Sequence, residues 1–167
     1  MSEQRRAATE ADAQALASGI RLRIIRLTYA EALTNKELAH RLGKDPATTL
    51  HHVRKLVDGG FLAPQPARQG NRGAWEIPYL STGLSWRLRW GAGKGAPVEE
   101  AMLEAYLGEV TEVGTGALRQ ARLVMSLTEQ DRHEFERRLD ELLEEFHRRS
   151  GTGAERMAVY LATYPAG

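Results

Sequence analysis

The 167-residue sequence has no cysteine, which excludes disulfides, thiolate metal sites and cysteine nucleophiles together. No apolar run approaches the roughly 20 residues needed to cross a bilayer. The opening MSEQRRAATEADAQALASG has an Arg pair but no apolar segment behind it, so no secretory leader is expected. Catalytic signatures are missing too. There is no G-x-S-x-G, Walker loop or H-E-x-x-H, and GAGKGA lacks the spacing and the following Ser/Thr of a phosphate loop. A cytoplasmic, non-enzymatic protein without a resident cofactor and away from membranes is the expectation. Net charge is also nearly absent, at +1, but this sum conceals a division. Residues 1–95 hold 15 Lys/Arg against 8 Asp/Glu, whereas residues 96–167 hold 8 against 14. A basic half suits a polyanion, although two ordinary solvated surfaces would give the same count. Hydrophobic content of 42 % is ordinary for a chain that buries a core.

Local punctuation is dense in the basic half. Leu16, Ile20, Ile24 and Leu27 recur at helical spacing, with Gly19 separating two helices near 10–18 and 20–31. In LTNKELAHRLG, Thr34 and Glu37 have the spacing of a capping box, Leu33 and Leu38 that of a hydrophobic staple, and Gly43 ends the helix. A tight turn follows. Asp45 then caps a second helix and Pro46 occupies its first position, where a missing N–H costs nothing. At about 100° per residue, Thr49, Val53, Leu56 and Val57 share one face. Ala47, Thr48, His51, Arg54 and Lys55 share the other, with Leu50 and His52 on the flanks. After Gly59-Gly60, residues 61–63 and 75–79 read as two strands around the basic turn RQGNRG, with Pro64, Pro66 and Pro78 marking strand ends or sheet edges.

The acidic half reads β-α-β-α-β. LSWRLRW (84–90) alternates like a strand, and residues 98–110 carry Met102, Leu103, Tyr106, Leu107 and Val110 on a helical stripe. ARLVMSL (121–127) reads as a strand. Thr128 and Asp131 open a helix with Phe135, Leu139, Leu142, Leu143 and Phe146 on one face, and Glu134–Arg138, Glu144–Arg148 and Glu145–Arg149 at i,i+4 spacing. ERMAVYLATY is a last strand candidate.

RLRIIRL, LTNKELAHRLG, DPATTLHHVRKLVDGGFL and the basic hairpin, over about residues 13–80, resemble the winged helix-turn-helix of ArsR-like transcription regulators. The resemblance implies a homodimer that binds a pseudo-palindromic operator and releases it when an effector binds. Two departures qualify it. Metal sensing through cysteines is not carried over, and Lys44 stands where such turns place an apolar residue.

The expected fold is therefore α+β: an N-terminal winged helix-turn-helix, residues 1–83, that binds double-stranded DNA, followed by a small β-α-β-α-β region, residues 84–167, that dimerises and offers room for a small-molecule effector. Recognition helix 46–58 enters the major groove. There Thr48 and His51 meet base edges, Ala47 a thymine methyl, and Arg54 and Lys55 phosphates or a guanine. Thr34 and Lys36, at the start of the preceding helix, suit a phosphate. Arg68, Asn71 and Arg72 in the wing, 64–73, suit the backbone or the minor groove. The alternative is a non-catalytic winged-helix module that grips a protein or RNA. A metal site is disfavoured because His51 and His52, adjacent on a helix, diverge by about 100°, while His40, His133 and His147 lack ligand spacing. Trp75, Trp86 and Trp90 are expected in the core rather than around a ligand.

Overall fold

A computed structural model describes residues 5–70, 73–90, 95–151 and 155–166, so Asn71 and Arg72 lie outside the described residues. The chain forms two compact units, Met1–Ala117 and Leu118–Gly167.

In the first unit, helix α1 (Glu10–Leu16) leads into α2 (Gly19–Leu27). Helix α2 is shorter than its apolar spacing predicts. At its end the Thr28 hydroxyl donates to the carbonyls of Ile24 and Ile25 at 2.8 and 3.2 Å, replacing the next turn of backbone bonding. Helix α3 (Asn35–Leu42) and helix α4 (Pro46–Asp58) follow, separated by a three-residue turn at residues 43–45. Gly43 makes that turn in the left-handed region, at φ 60°, which a side chain would strain.

A three-stranded antiparallel sheet, in the order β2 (Leu33–Thr34), β6 (Pro78–Ser81), β3 (Leu62–Pro64), closes under the helices. Beyond it β4 (Arg68–Gln69) and β5 (Trp75–Glu76) pair as the wing. The wing is broken into short pieces because Pro64, Pro66 and Pro78 withhold ladder donors. Leu16, Ile24, Leu38, Val53, Leu56 and Phe61 form the centre of the core, all at or below 2 % exposure. Truncating one of them, Leu56 for instance, should cost about 2–5 kcal/mol.

The LSWRLRW segment is not the strand its alternation suggests. Gly83 turns left-handed at φ 72°, and Leu84–Arg87 wind into a 3-10 turn. Only Leu88–Arg89 extend as β7, which pairs in parallel with β1 (Arg6–Ala7). Helix α5 (Ala96–Val113) then packs on α1 and α2. It buries Val98, Ala101 and Ala105, while Met102, Leu103 and Leu107 of the expected apolar stripe stay exposed. Small residues win the buried face because they let two helices approach closely. Part of the charge asymmetry is satisfied here. Arg23 pairs with Glu112 and Arg26 with Glu109, and the Glu104 carboxylate accepts the Gly19 N–H at 3.1 Å. Burial raises the Glu109 pKa, and the attraction of Arg26 and Arg23 only partly offsets it.

The second unit contains α6 (Glu129–Arg149), capped by Thr128, whose hydroxyl accepts the Asp131 N–H at 3.1 Å. The expected pairs Glu134–Arg138 and Glu145–Arg149 form at 2.5 and 3.0 Å. The strands expected at 121–127 and in ERMAVYLATY do not form among the described residues. Alternation marks a side chain's face but supplies no neighbouring ladder, and neither segment has a strand partner. Leu123, Val124, Met157 and Tyr164 are all exposed. Of the β-α-β-α-β alternation, the described residues thus form the two helices and, in Leu88–Arg89, a two-residue remnant of the first strand.

Candidate nucleic-acid interface

Helix α4 is held from both ends by its own sequence. The Asp45 carboxylate accepts the Ala47 and Thr48 N–H groups at 2.8 and 3.2 Å. The Thr49 hydroxyl donates to the Asp45 carbonyl at 2.9 Å. Thr49, Val53 and Leu56 are fully buried, and Val57 is half-buried. Ala47, Thr48, His51, Arg54 and Lys55 are all exposed on the opposite face, with Leu50 and His52 between. Arg54 and Lys55 form no ion pair among the described residues, so both cations are available to a ligand.

The adjacent histidines do different things. His51 faces out. His52 is half-buried on the flank, its Nδ1 without a partner. Burial lowers the His52 pKa, and its neighbours Arg21, His51 and Lys55 lower it further. Their rings meet edge-on, centroids 5.9 Å apart. No group of three or more His, Asp or Glu among the described residues could hold a metal ion.

Helix α3 supports α4 and the wing together. Thr34 and Glu37 form the reciprocal cap: the Glu37 N–H donates to the Thr34 hydroxyl at 3.3 Å, and the Thr34 N–H to the Glu37 carboxylate at 2.8 Å. Thr34 was expected at a phosphate but is 2 % exposed. Its hydroxyl serves the cap instead. Lys36 is exposed beside it. Asn35 Nδ2 donates to the Pro46 carbonyl at 2.9 Å, tying the start of α3 to the start of α4.

Arg68 of the wing donates to both Glu37 oxygens, at 2.8 and 2.7 Å. An open polar cleft of about 360 Å³ lies along this contact, with Lys36, His40 and Arg41 on the α3 side and Gln69 and Glu76 on the wing side. Burial opposes ionisation of Glu37, but its hydrogen bonds from Thr34 and the Arg68 charge prevail, and its pKa is lowered. Sequence reasoning gave Arg68 to DNA and missed Glu37 as its holder. The two positions are 31 residues apart, and no local pattern joins them.

The tryptophans do not cluster as core. Trp75 is 72 % exposed on β5, Trp86 lies under the Arg5 guanidinium at 4.8 Å, and Trp90 packs against the core.

Residues 16–65 match the family model for a helix-turn-helix domain. That span runs from the end of α1 through α4 into β3. Among solved structures the chain is similar to a double mutant of ZitR from Lactococcus lactis, at 18 % identity over 77 % of this chain and 75 % of that one, with a TM-score of 0.35. It is also similar to the zinc-dependent MarR family transcriptional regulator AdcR in its Zn(II)-bound state, at 23 % identity over 77 % of this chain and 74 % of that one, with a TM-score of 0.33. No curated protein matches the chain in sequence. The helix-turn-helix match and the β4–β5 wing identify an α+β winged helix-turn-helix. No helix among the described residues is long and apolar enough to cross a membrane.

Proposed function

We propose that the protein is an ArsR-like, sequence-specific transcriptional repressor that binds its operator as a homodimer. One observation carries this reading. The exposed face of α4 gathers Ala47, Thr48, His51, Arg54 and Lys55 on a helix whose other face is locked into the core. A helix of this kind fits the major groove of B-DNA. Thr48 and His51, in its first half, take base edges, and Ala47 takes a thymine methyl. Arg54 and Lys55 take phosphates or a guanine, and Lys36 takes a phosphate beside the start of α3. The wing, including Arg68, Asn71 and Arg72, takes the backbone or the minor groove. Residues 1–83 carry this interface, and residues 84–167 supply dimer contacts through exposed apolar side chains on α5 and α6, including Leu103, Leu107, Leu142 and Phe146. A small-molecule effector completes the reading as the agent that releases the operator in the cytoplasm.

The test is duplex affinity measured across ionic strength. Neutralised phosphates release condensed counterions, so affinity should fall by on the order of 10³-fold between low and physiological salt. A flat response would sink the proposal.

A further inference from the structure

We propose that residues 121–127 of two copies pair as antiparallel strands about a two-fold axis at Val124, forming the centre of a sheet that exists only between copies. The inference rests on the homodimer reading above and adds to it a backbone ladder, the segment that carries it and its register. The second unit, Leu118–Gly167, has no core of its own. None of its described residues is buried. Leu123, Val124, Met125 and Leu127, before α6, are between 44 and 74 % exposed. Met157, Val159 and Leu161 after it are at least half exposed, as are Leu142 and Phe146 on the apolar face of α6 itself. A unit this small is stable only when it buries apolar surface, and neither flanking segment joins a sheet among the described residues.

The missing partner has to supply both a strand for the ladder and an apolar face. A second copy supplies both. The charges of α6 point the same way, because they are matched along the helix itself. Arg132 pairs with Glu136, Arg137 with Glu141, Arg138 with Glu134 and Arg149 with Glu145, so these groups call for neither a polyanion nor a strongly charged protein. Symmetry then sets the register. In an antiparallel pair centred on Val124, Leu123 opposes Met125 and Ala121 opposes Leu127, in both directions. Directly opposed residues share a face and successive residues alternate. Ala121, Leu123, Met125 and Leu127 of both strands therefore make one apolar side. On the other side Arg122 falls opposite Ser126, which keeps the two arginines from opposing each other as like charges. Two strands alone are marginal. Residues 156–164 of each copy, running into Pro165, suit the edges, where a proline withholds no inner ladder donor. The apolar faces of the two α6 helices then cover the sheet.

The experiment uses the full chain, which has no cysteine, so one introduced thiol reports on one position. Opposed residues of an antiparallel pair have Cα atoms about 4.5–5.5 Å apart, within the roughly 4.4–6.8 Å span of a disulfide. Val124→Cys should therefore give a disulfide-linked dimer under mild oxidation. The two Ala121 positions would lie roughly 20 Å apart along the strands. Ala121→Cys should link at least about tenfold more slowly, because only an opposed pair has a high effective concentration. Both positions are exposed, so neither substitution disturbs buried packing. Val124→Pro should raise the dimer dissociation constant about tenfold in sedimentation, since a symmetric pair loses one ladder donor from each strand. Side-chain contacts on α5 still hold those copies. The infrared strand band should grow with protein concentration in the wild type and less in Val124→Pro. A dimer in which Val124→Cys links no faster than Ala121→Cys, or in which Val124→Pro leaves the dissociation constant unmoved, overturns the ladder and leaves the homodimer reading standing. A chain that is monomeric at every concentration overturns both. A strand band that stays constant as the dimer dissociates assigns the pairing to a single chain and overturns the inference.

Discussion

Arg68 on the wing donates to both carboxylate oxygens of Glu37 on α3, while the Thr34 N–H donates to the same carboxylate at the helix start. One side chain thus caps α3 and fixes the angle of the wing. Removing the whole group should cost more than removing its partner. Glu37→Ala deletes half of a capping box and should lower stability by about 1 kcal/mol. Arg68→Ala deletes one side of a half-exposed ion pair and should stay within about 0.5 kcal/mol. Urea midpoints at constant m-value measure both; equal losses would show that the cap contributes nothing separate from the wing contact.

Acid should act through two caps at once. The Asp12 carboxylate accepts two hydrogen bonds from Arg6 and two from Thr9, all between 2.7 and 2.9 Å. Chiefly the Arg6 bond holds its pKa well below the usual carboxylate range, against the opposing effect of burial. Glu37 is lowered as well. A carboxyl depressed in the folded state contributes stability that is complete above its unfolded pKa of about 4. That contribution disappears as pH falls through the folded value. Stability should therefore be level from neutral pH to about 5 and decline below about 4. Asp12→Asn should cost about 2 kcal/mol at pH 7 and make the acid decline shallower. An unchanged acid limb in that variant would refute the assignment.

These caps also show what was legible in the sequence. Thr34, Glu37, Gly43, Asp45 and Pro46 act within a few residues of themselves, so their spacing predicts α3, the turn and α4 together. The faces of α4 follow from the same local periodicity. The Glu37–Arg68 pair, the β1–β7 ladder and the preference of α5 for burying Val98, Ala101 and Ala105 depend on residues distant in sequence. Periodicity cannot report them. The strand expectation at 84–90 failed for a local reason, the left-handed turn at Gly83. Those at 121–127 and in ERMAVYLATY failed because a strand needs a ladder partner, which alternation does not supply. Trp75 was assigned to the core because aromatic residues at strand spacing usually belong there, yet it faces solvent.

Base readout and phosphate attraction should separate on α4. His51 and Lys55 are both exposed, but His51 lies one turn nearer the N-terminus, where a recognition helix meets base edges. His51→Ala should narrow the affinity gap between operator and random duplex. Lys55→Ala should weaken both alike and reduce the magnitude of the salt slope by about one. Binding isotherms at several salt concentrations distinguish them, and uniform effects from both substitutions would remove the base-reading role of His51.

The exposed side of α5 gives a prediction about assembly. Leu103 and Leu107 are 46 and 54 % exposed, while the opposite side of the same helix is packed by Val98, Ala101 and Ala105. A charge placed on the exposed side removes no contact within the first unit. If this side joins two copies, Leu103→Glu with Leu107→Glu should leave the urea midpoint nearly unchanged and convert a dimer to a monomer by light scattering. Operator affinity should then fall by about 10²–10⁴, because the second recognition helix no longer binds as part of one molecule. Two recognition helices about 34 Å apart match one turn of duplex only when both are held together. A double variant that stays dimeric and keeps its operator affinity would move the dimer contact away from α5.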